Sequence, residues 1–150
     1  MPEKKTLENA RRAKEEGKAP STQAGEFVRE EIEHIRQGKH GARSTKQAIA
    51  IGLSKARRAG VELPPPKKGT VSEETRRKAQ CEYERAQHGE RRPTSRKRSR
   101  ATTKALRRES HAVASREALS KQTRSAARQR SRPDKSSASR KGARTRAQNR

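Results

Sequence analysis

The sizeable apolar side chains of the sequence fall in one window, and this limits the chain to one small hydrophobic core. Nine Val, Leu, Ile and Phe residues lie between Phe27 and Leu63, whereas outside this window such residues are scattered singly. The chain is 39% charged and 25% hydrophobic, with a formal net charge of +24. A chain with this balance buries too little apolar surface to offset its conformational entropy. The sequence therefore predicts a marginal monomer that gains order from a partner or from self-association.

A first amphipathic helix is predicted over residues 21–37. Its apolar residues from Ala24 to Ile35 recur at i, i+4, i+8 and i+11, which places them on one stripe. Glutamates cover much of the remaining surface, so this helix is a poor surface for nucleic acid and is better suited to pair with basic parts of the chain. These glutamates are Glu26, Glu30, Glu31 and Glu33.

A second helix is predicted over residues 44–59. Ser44 and Gln47 fit a capping box, in which the Ser44 hydroxyl accepts from the Gln47 N–H and the Gln47 side chain reaches back. The alternating apolar residues in its middle would also suit a strand, but the cap favours a helix. Gly52 would allow the first helix to approach closely.

The whole chain is predicted to be mainly α, a small helical hairpin followed by a long basic, largely disordered C-terminal tail. The tail is assigned from its low complexity and its scarcity of apolar residues. The predicted segments are a polar N-terminal arm or short helix at 1–20, a helix-loop-helix core at 21–63, a Pro/Lys linker at 64–71, an exposed helix at 72–89 and the basic tail at 90–150.

The loop from Gly38 to Arg43 is the first candidate site. It joins the two helices, and free backbone N–H groups at the start of a helix attract anions. Lys39, Arg43 and Lys46 supply positive charge around it. The loop is therefore predicted either to clamp a phosphate or to be a flexible glycine turn with solvated charges.

The C-terminal part carries most of the positive charge and gives the strongest functional signal. Residues 91–150 hold 21 Lys and Arg against three acidic residues, whereas residues 1–90 hold 20 against 14. Lysine and arginine that neutralise phosphates give salt-sensitive binding with little sequence readout. Aromatic residues are only 1% of the chain, which argues against base stacking as the main mode. The predicted nucleic-acid contacts are Lys39, Arg43, Lys46, Arg57, Arg58, Arg91, Arg92, Arg96, Lys97, Arg98 and Arg100.

Catalytic and metal sites are not predicted. His34 and His40 are separated by a predicted helix end, and Cys81 shares an exposed helix with His88. No nucleophile paired with a base and no pair of buried carboxylates is recognisable, so we expect no enzyme activity and no cofactor or metal. No apolar run approaches the roughly 20 residues of a membrane span. These features predict a cytoplasmic setting.

The centre of the second helix carries a resemblance to a known family. The run K-Q-A-I-A-I-G-L-S-K-A at residues 46–56 follows G-K-H-G at residues 38–41 and precedes Gly60. This pattern resembles a family of small basic bacterial proteins of unknown function, sometimes called DNA-binding, whose shared core reads K/R-Q-A-I-A-I-A/G-L-S. The resemblance implies a bacterial cytoplasmic setting, and it brings no catalytic residues.

Three functional hypotheses follow from these patterns. The leading one is a non-enzymatic, nucleoid-associated protein that binds DNA through phosphate contacts without sequence specificity. The second is a protein-interaction module, with a possible homo-oligomer formed through the apolar face of residues 24–60. The third is association with RNA or the ribosome, which differs from the first in the polymer that is bound.

Overall fold

The computed structural model describes residues 1–89, 93–130 and 132–148, and within these ranges the secondary structure is helical, with no strand. The predicted mainly α class is confirmed. The chain divides into two compact units, Met1–Ser115 and Arg116–Arg150. The helices are α1 (Lys4–Glu15), α2 (Pro20–Arg36), α3 (Thr45–Arg58), α4 (Glu73–Gln87), α5 (Arg96–Arg107), α6 (Arg116–Gln129) and α7 (Arg132–Gln148), with a short 3-10 turn at Ala112–Ala114 between α5 and α6.

The centre of the first unit is the predicted hairpin of α2 and α3. Gly52 lies where the two helices meet, and a Cβ atom there would come within 2.7 Å of the Val28 Cα. The close approach that Gly52 was expected to permit is therefore confirmed. The start of α3 has the predicted cap, because the Gln47 N–H donates to Ser44 Oγ at 3.2 Å. The Gln47 side chain reaches back and accepts from the Arg43 N–H at 2.7 Å.

Helix α1 packs against α2 and completes the hydrophobic core. It contributes Ala10 to a cluster formed by Ala24, Phe27, Ala56 and Val61. A helix with few large apolar residues can dock in this way because its small side chains let the two backbones approach. Of the two alternatives for residues 1–20, the structure has the short helix.

The end of α5 and the residues that follow it also pack on the hairpin, a contact that sequence reasoning missed. We call residues 106–114 the docking segment. Ala114 within it is fully buried, and the 3-10 turn contacts both α2 and α3. Four of its backbone carbonyls accept hydrogen bonds from the end of α2, the turn and the start of α3. These bonds join Gly41 N to Leu106 O at 2.8 Å, Ala42 N to Ser110 O at 3.1 Å, Arg36 Nε to Ala114 O at 3.0 Å and Thr45 Oγ1 to Val113 O at 2.8 Å.

The predicted largely disordered tail is wrong for the part of 90–150 that the structure describes, which is mostly helical. The prediction rested on the scarcity of apolar side chains that could be buried in this part of the chain. The same segments are rich in Ala, Arg and Lys, which are among the strongest helix formers. Helix α6 buries no residue, so its backbone conformation follows local propensity more than packing.

The apolar face of residues 24–60 is covered within the chain. Phe27 and Ile35 are completely buried, and α1 and the 3-10 turn both contact α2. This covering leaves the face predicted for self-association facing the interior. Among the described helices, none combines the length and the apolar character needed to span a membrane.

Candidate functional site

The basic residues predicted around the turn between α2 and α3 are exposed. The Arg43 side chain is 82% exposed, with its Nε 3.9 Å from Glu109 Oε1. Lys39 is half exposed, and its Nζ lies 3.4 Å from Glu3 Oε1. Lys46 is also exposed, on the first turn of α3. These three cations are accessible, and two of them have an acidic neighbour.

The backbone of this turn does not offer an open anion site. The N–H groups of Gly41 and Ala42 donate to the Leu106 and Ser110 carbonyls. The Arg43 N–H donates to the Gln47 side chain. Because these donors are engaged and carbonyl oxygens lie over them, the predicted phosphate clamp gains no support from the structure.

Arg57 has a structural role in place of the surface role that was predicted. It is only 6% exposed. Its guanidinium donates to the carbonyls of Leu63 and Pro64, at 3.2 and 3.4 Å, and so ties α3 to the linker that follows. Burial lowers the pKa of Arg57 from its ordinary value, and the nearby Glu82 carboxylate opposes this shift.

Arg58, the next predicted contact, lies on the surface where α3 meets α4. Its Nε and NH2 groups donate to the carbonyl and the hydroxyl of Ser54. The Ser54 hydroxyl in turn donates to the Glu82 carboxylate at 2.7 Å. Arg58 Nε lies 3.8 Å from that same carboxylate. Arg58 is therefore partly neutralised by α4.

Helix α5 displays the densest group of cations in the first unit. The predicted contacts Arg96, Lys97, Arg98 and Arg100 are all exposed on it. Sequence reasoning missed Lys104 and Arg107, which also lie on α5 and are exposed. Their spacing from Arg96, at i+8 and i+11, was the signal that could have found them, but residues 90–150 were expected to be largely disordered. Arg91 and Arg92 lie outside the described residues.

One side of α5 is consequently a continuous row of positive charge. Residues at i, i+4, i+8 and i+11 share one helix face, since successive side chains are 100° apart. No acidic residue lies within α5. We call this row the cationic stripe, and its members are Arg96, Arg100, Lys104 and Arg107.

A second polar group lies beneath the turn, between α2 and α3. Two adjacent glutamates of α2, Glu30 and Glu31, are buried there. Glu31 Oε1 lies 3.1 Å from His40 Nε2, and Glu31 Oε2 lies 2.5 Å from Lys55 Nζ. His34 joins them one turn along α2. We call Glu30, Glu31, His34 and His40 the acid–histidine cluster.

The cluster corrects the sequence analysis of the histidines. His34 and His40 were expected to be kept apart by the end of α2. The turn instead folds back, so that their rings meet edge to face with centroids 6.3 Å apart. A left-handed Gly38, with φ of 72°, permits this reversal directly after the helix.

The cluster also changes the charge that α2 presents to solvent. Glu30 and Glu31 face the interior, where Lys55 of α3 provides a counter-charge. Glu26 is half-buried, whereas Glu33 remains exposed. Much of the acidic surface expected on this helix is therefore absent from the exterior.

Comparison with known proteins relates one part of the chain to a family. No curated protein and no solved structure matches the chain. Residues 4–68 match the sequence profile of a family of unknown function, DUF6496. The match includes the run at residues 46–56 on which the resemblance rests, and it ends before α4. From α1 to the proline-rich linker, the chain is thus similar to an uncharacterised family.

Proposed function

We propose that the protein is a non-enzymatic nucleic-acid-binding protein that contacts the phosphates of duplex DNA without reading the base sequence. The cationic stripe on α5 is the observation that carries this proposal. Its four cations extend along about 16 Å of helix, a length that meets several phosphates of a duplex. Lys97 and Arg98 extend the same charge around the start of the helix.

Bound phosphate would relieve an electrostatic penalty within α5 itself. The first turn has no acidic residue and carries Arg96, Lys97 and Arg98, which oppose the positive end of the helix dipole. Cations spaced at i and i+4 also repel one another. A polyanion removes both penalties, so binding should stabilise α5.

The second unit adds exposed positive charge of the same kind. Lys121, Arg124 and Arg128 lie on α6 at i, i+3 and i+7 and are exposed. The first unit contributes Lys39, Arg43, Lys46 and Arg58 as weaker contacts, because all except Lys46 lie near a carboxylate. Buried Arg57 has no place in this interface.

The preference for a duplex over a single strand follows from the scarcity of aromatic side chains. Single strands are usually held by base stacking on aromatic rings, and this chain has one Phe and one Tyr. Phe27 is in the core, so it is not available for stacking. Duplex DNA therefore suits the surface better than single-stranded RNA, and a cytoplasmic, nucleoid-associated setting accompanies this proposal.

The test compares two variants of the full chain that lose the same charge. One carries Gln in place of the four cations of the cationic stripe. The control carries Gln at Lys4, Lys5, Arg11 and Arg12, four exposed cations of α1. Duplex binding is measured by fluorescence anisotropy over a salt series, because each neutralised phosphate contributes about −0.9 to the slope of log K against log [salt].

We expect the stripe variant to bind more weakly and its slope to fall by about 2–4, with a much smaller change in the control. Equal losses in both variants would mean that only net charge matters and would refute the stripe as the interface. Competition at fixed salt between duplex DNA and a structured RNA tests the polymer preference, and stronger competition by the RNA would favour the ribosome-associated alternative.

A further inference from the structure

We infer that the acid–histidine cluster is a binding site for a divalent transition metal such as Zn²⁺, formed by two histidines and buried glutamates at the turn between α2 and α3. One ligand atom from each of Glu31, His34 and His40 lies within 4.8 Å of the other two. Helix α2 places Glu31 and His34 one turn apart on one face, and the turn brings in His40. Imidazole nitrogen and carboxylate oxygen are ligands that Zn²⁺ prefers in proteins.

The hydrogen bond of His40 Nδ1 leaves the Nε2 atom available to a cation. Its Nδ1 lies 3.0 Å from the Gly41 carbonyl oxygen, which can only accept, so Nδ1 carries the proton. The Nε2 atom faces Glu31 Oε1 at 3.1 Å. A cation between these two atoms would be held by the imidazole nitrogen and the carboxylate oxygen together. A backbone carbonyl on the second ring nitrogen is also the usual support for a metal-binding histidine.

Glu30 gives an independent indication that the cluster takes a cation. Its side chain is 3% exposed. Glu30 Oε2 accepts from the Glu3 backbone N–H at 3.1 Å, whereas the buried Oε1 receives no hydrogen bond from the described residues. That oxygen lies 4.0 Å from His34 Nε2. A buried carboxylate oxygen without a donor is costly, and coordination to a metal would satisfy it.

The charge balance around the cluster is compatible with a divalent cation. Lys55 Nζ is 2.5 Å from Glu31 Oε2 and 3.9 Å from Glu30 Oε1, so one ammonium serves two buried carboxylates. His34 Nε2 is now 2.9 Å from Glu3 Oε1 and would exchange this contact for the metal. The Glu3 side chain is about half exposed, and its carboxylate also lies 3.4 Å from Lys39 Nζ. It can move aside or join as a further ligand. Glu31 can keep Lys55 on one oxygen and use the other.

The experiment titrates the untagged full chain, freed of metal by a chelator, with ZnCl₂ in a calorimeter. We expect one Zn²⁺ per chain. The variants His40→Gln and Glu30→Gln should each weaken binding at least about tenfold, because each removes a ligand. The variants His88→Gln and His111→Gln are the matched controls, since these exposed histidines lie outside the cluster and their loss should leave the affinity unchanged.

X-ray absorption spectra of the Zn²⁺-loaded wild-type chain keep the test decisive where a variant does not fold. The expected spectrum shows two imidazole ligands together with oxygen ligands. The inference would be overturned by a wild-type chain that does not bind Zn²⁺, by equal losses of affinity in the cluster and control variants, or by a spectrum without imidazole coordination.

Discussion

At the scale of single residues, Gly41 shows how a local pattern acquires its meaning from a distant segment. In the sequence it belongs to a cationic loop and suggests a turn or a phosphate clamp. In the structure a Cβ atom at Gly41 would lie 2.0 Å from the Glu109 carbonyl oxygen and 2.9 Å from that of Ser110. The glycine is therefore required so that the docking segment can reach the turn.

Replacing Gly41 by Ala should lower the free energy of unfolding by about 1–3 kcal/mol, because the docking segment must move to admit the methyl group. Gly25→Ala is the control. Gly25 lies on the exposed side of α2 with no atom within 4 Å of its added Cβ, so this change should stabilise the protein by about 0.5–1 kcal/mol. Urea denaturation followed by circular dichroism measures both values, and a neutral Gly41→Ala would contradict the close contact.

At the scale of the elements, the helices differ in whether a side chain caps their first turn. Ser44 caps α3 and Ser72 caps α4, each accepting from a backbone N–H three residues on. Ser95 occupies the same position before α5, yet its side chain makes no capping hydrogen bond. Of these three helices, α5 is thus the one whose first turn has no side-chain cap.

The variant Ser44→Ala should therefore cost about 1 kcal/mol of stability, the usual contribution of a serine cap. Ser95→Ala, which removes the same hydroxyl from a position where no such bond is made, should change stability by less than about 0.5 kcal/mol. Chemical denaturation of the two variants side by side decides this, and equal costs would show that Ser95 caps α5 in solution.

These elements also show what could be predicted from sequence. Helices α2 and α3 were predicted because the stripe from Ala24 to Ile35 and the Ser44 cap are local signals. Helices α5 to α7 were missed as stable elements because weight was given to burial, although their composition favours helix. The meeting of His34 and His40 was missed as well, since it depends on the path of the chain after Gly38 and not on helical spacing.

At the scale of the molecule, the first unit is closed by a segment distant in sequence. The docking segment supplies four carbonyls to the hairpin and buries Ala114 against it. The predicted ordered core ended at residue 63, and residues 90–150 were expected to form one basic tail outside it. The carbonyl contacts have no sequence signature, since any residue type provides the same acceptor.

A chain ending at residue 105 should therefore be less stable than one ending at residue 115, although both retain nearly all of α5. We expect a difference of about 2–6 kcal/mol in the free energy of unfolding, because the four hydrogen bonds contribute roughly 0.5–1.5 kcal/mol each. Thermal and urea unfolding of the two chains measures it. Equal stability would mean that the docking segment is only loosely held in solution.

The anchoring of the docking segment limits the positions that α5 can adopt. Helix α4 is held against α3, and the chain returns to the turn at Leu106. The stripe thus lies on a stretch of chain that is tethered at both ends. A polyanion that binds the stripe would restrict fewer chain conformations than if the stripe lay on a free terminal extension. If α5 binds a polyanion, the folded hairpin would increase the affinity by restricting the positions that this helix can adopt.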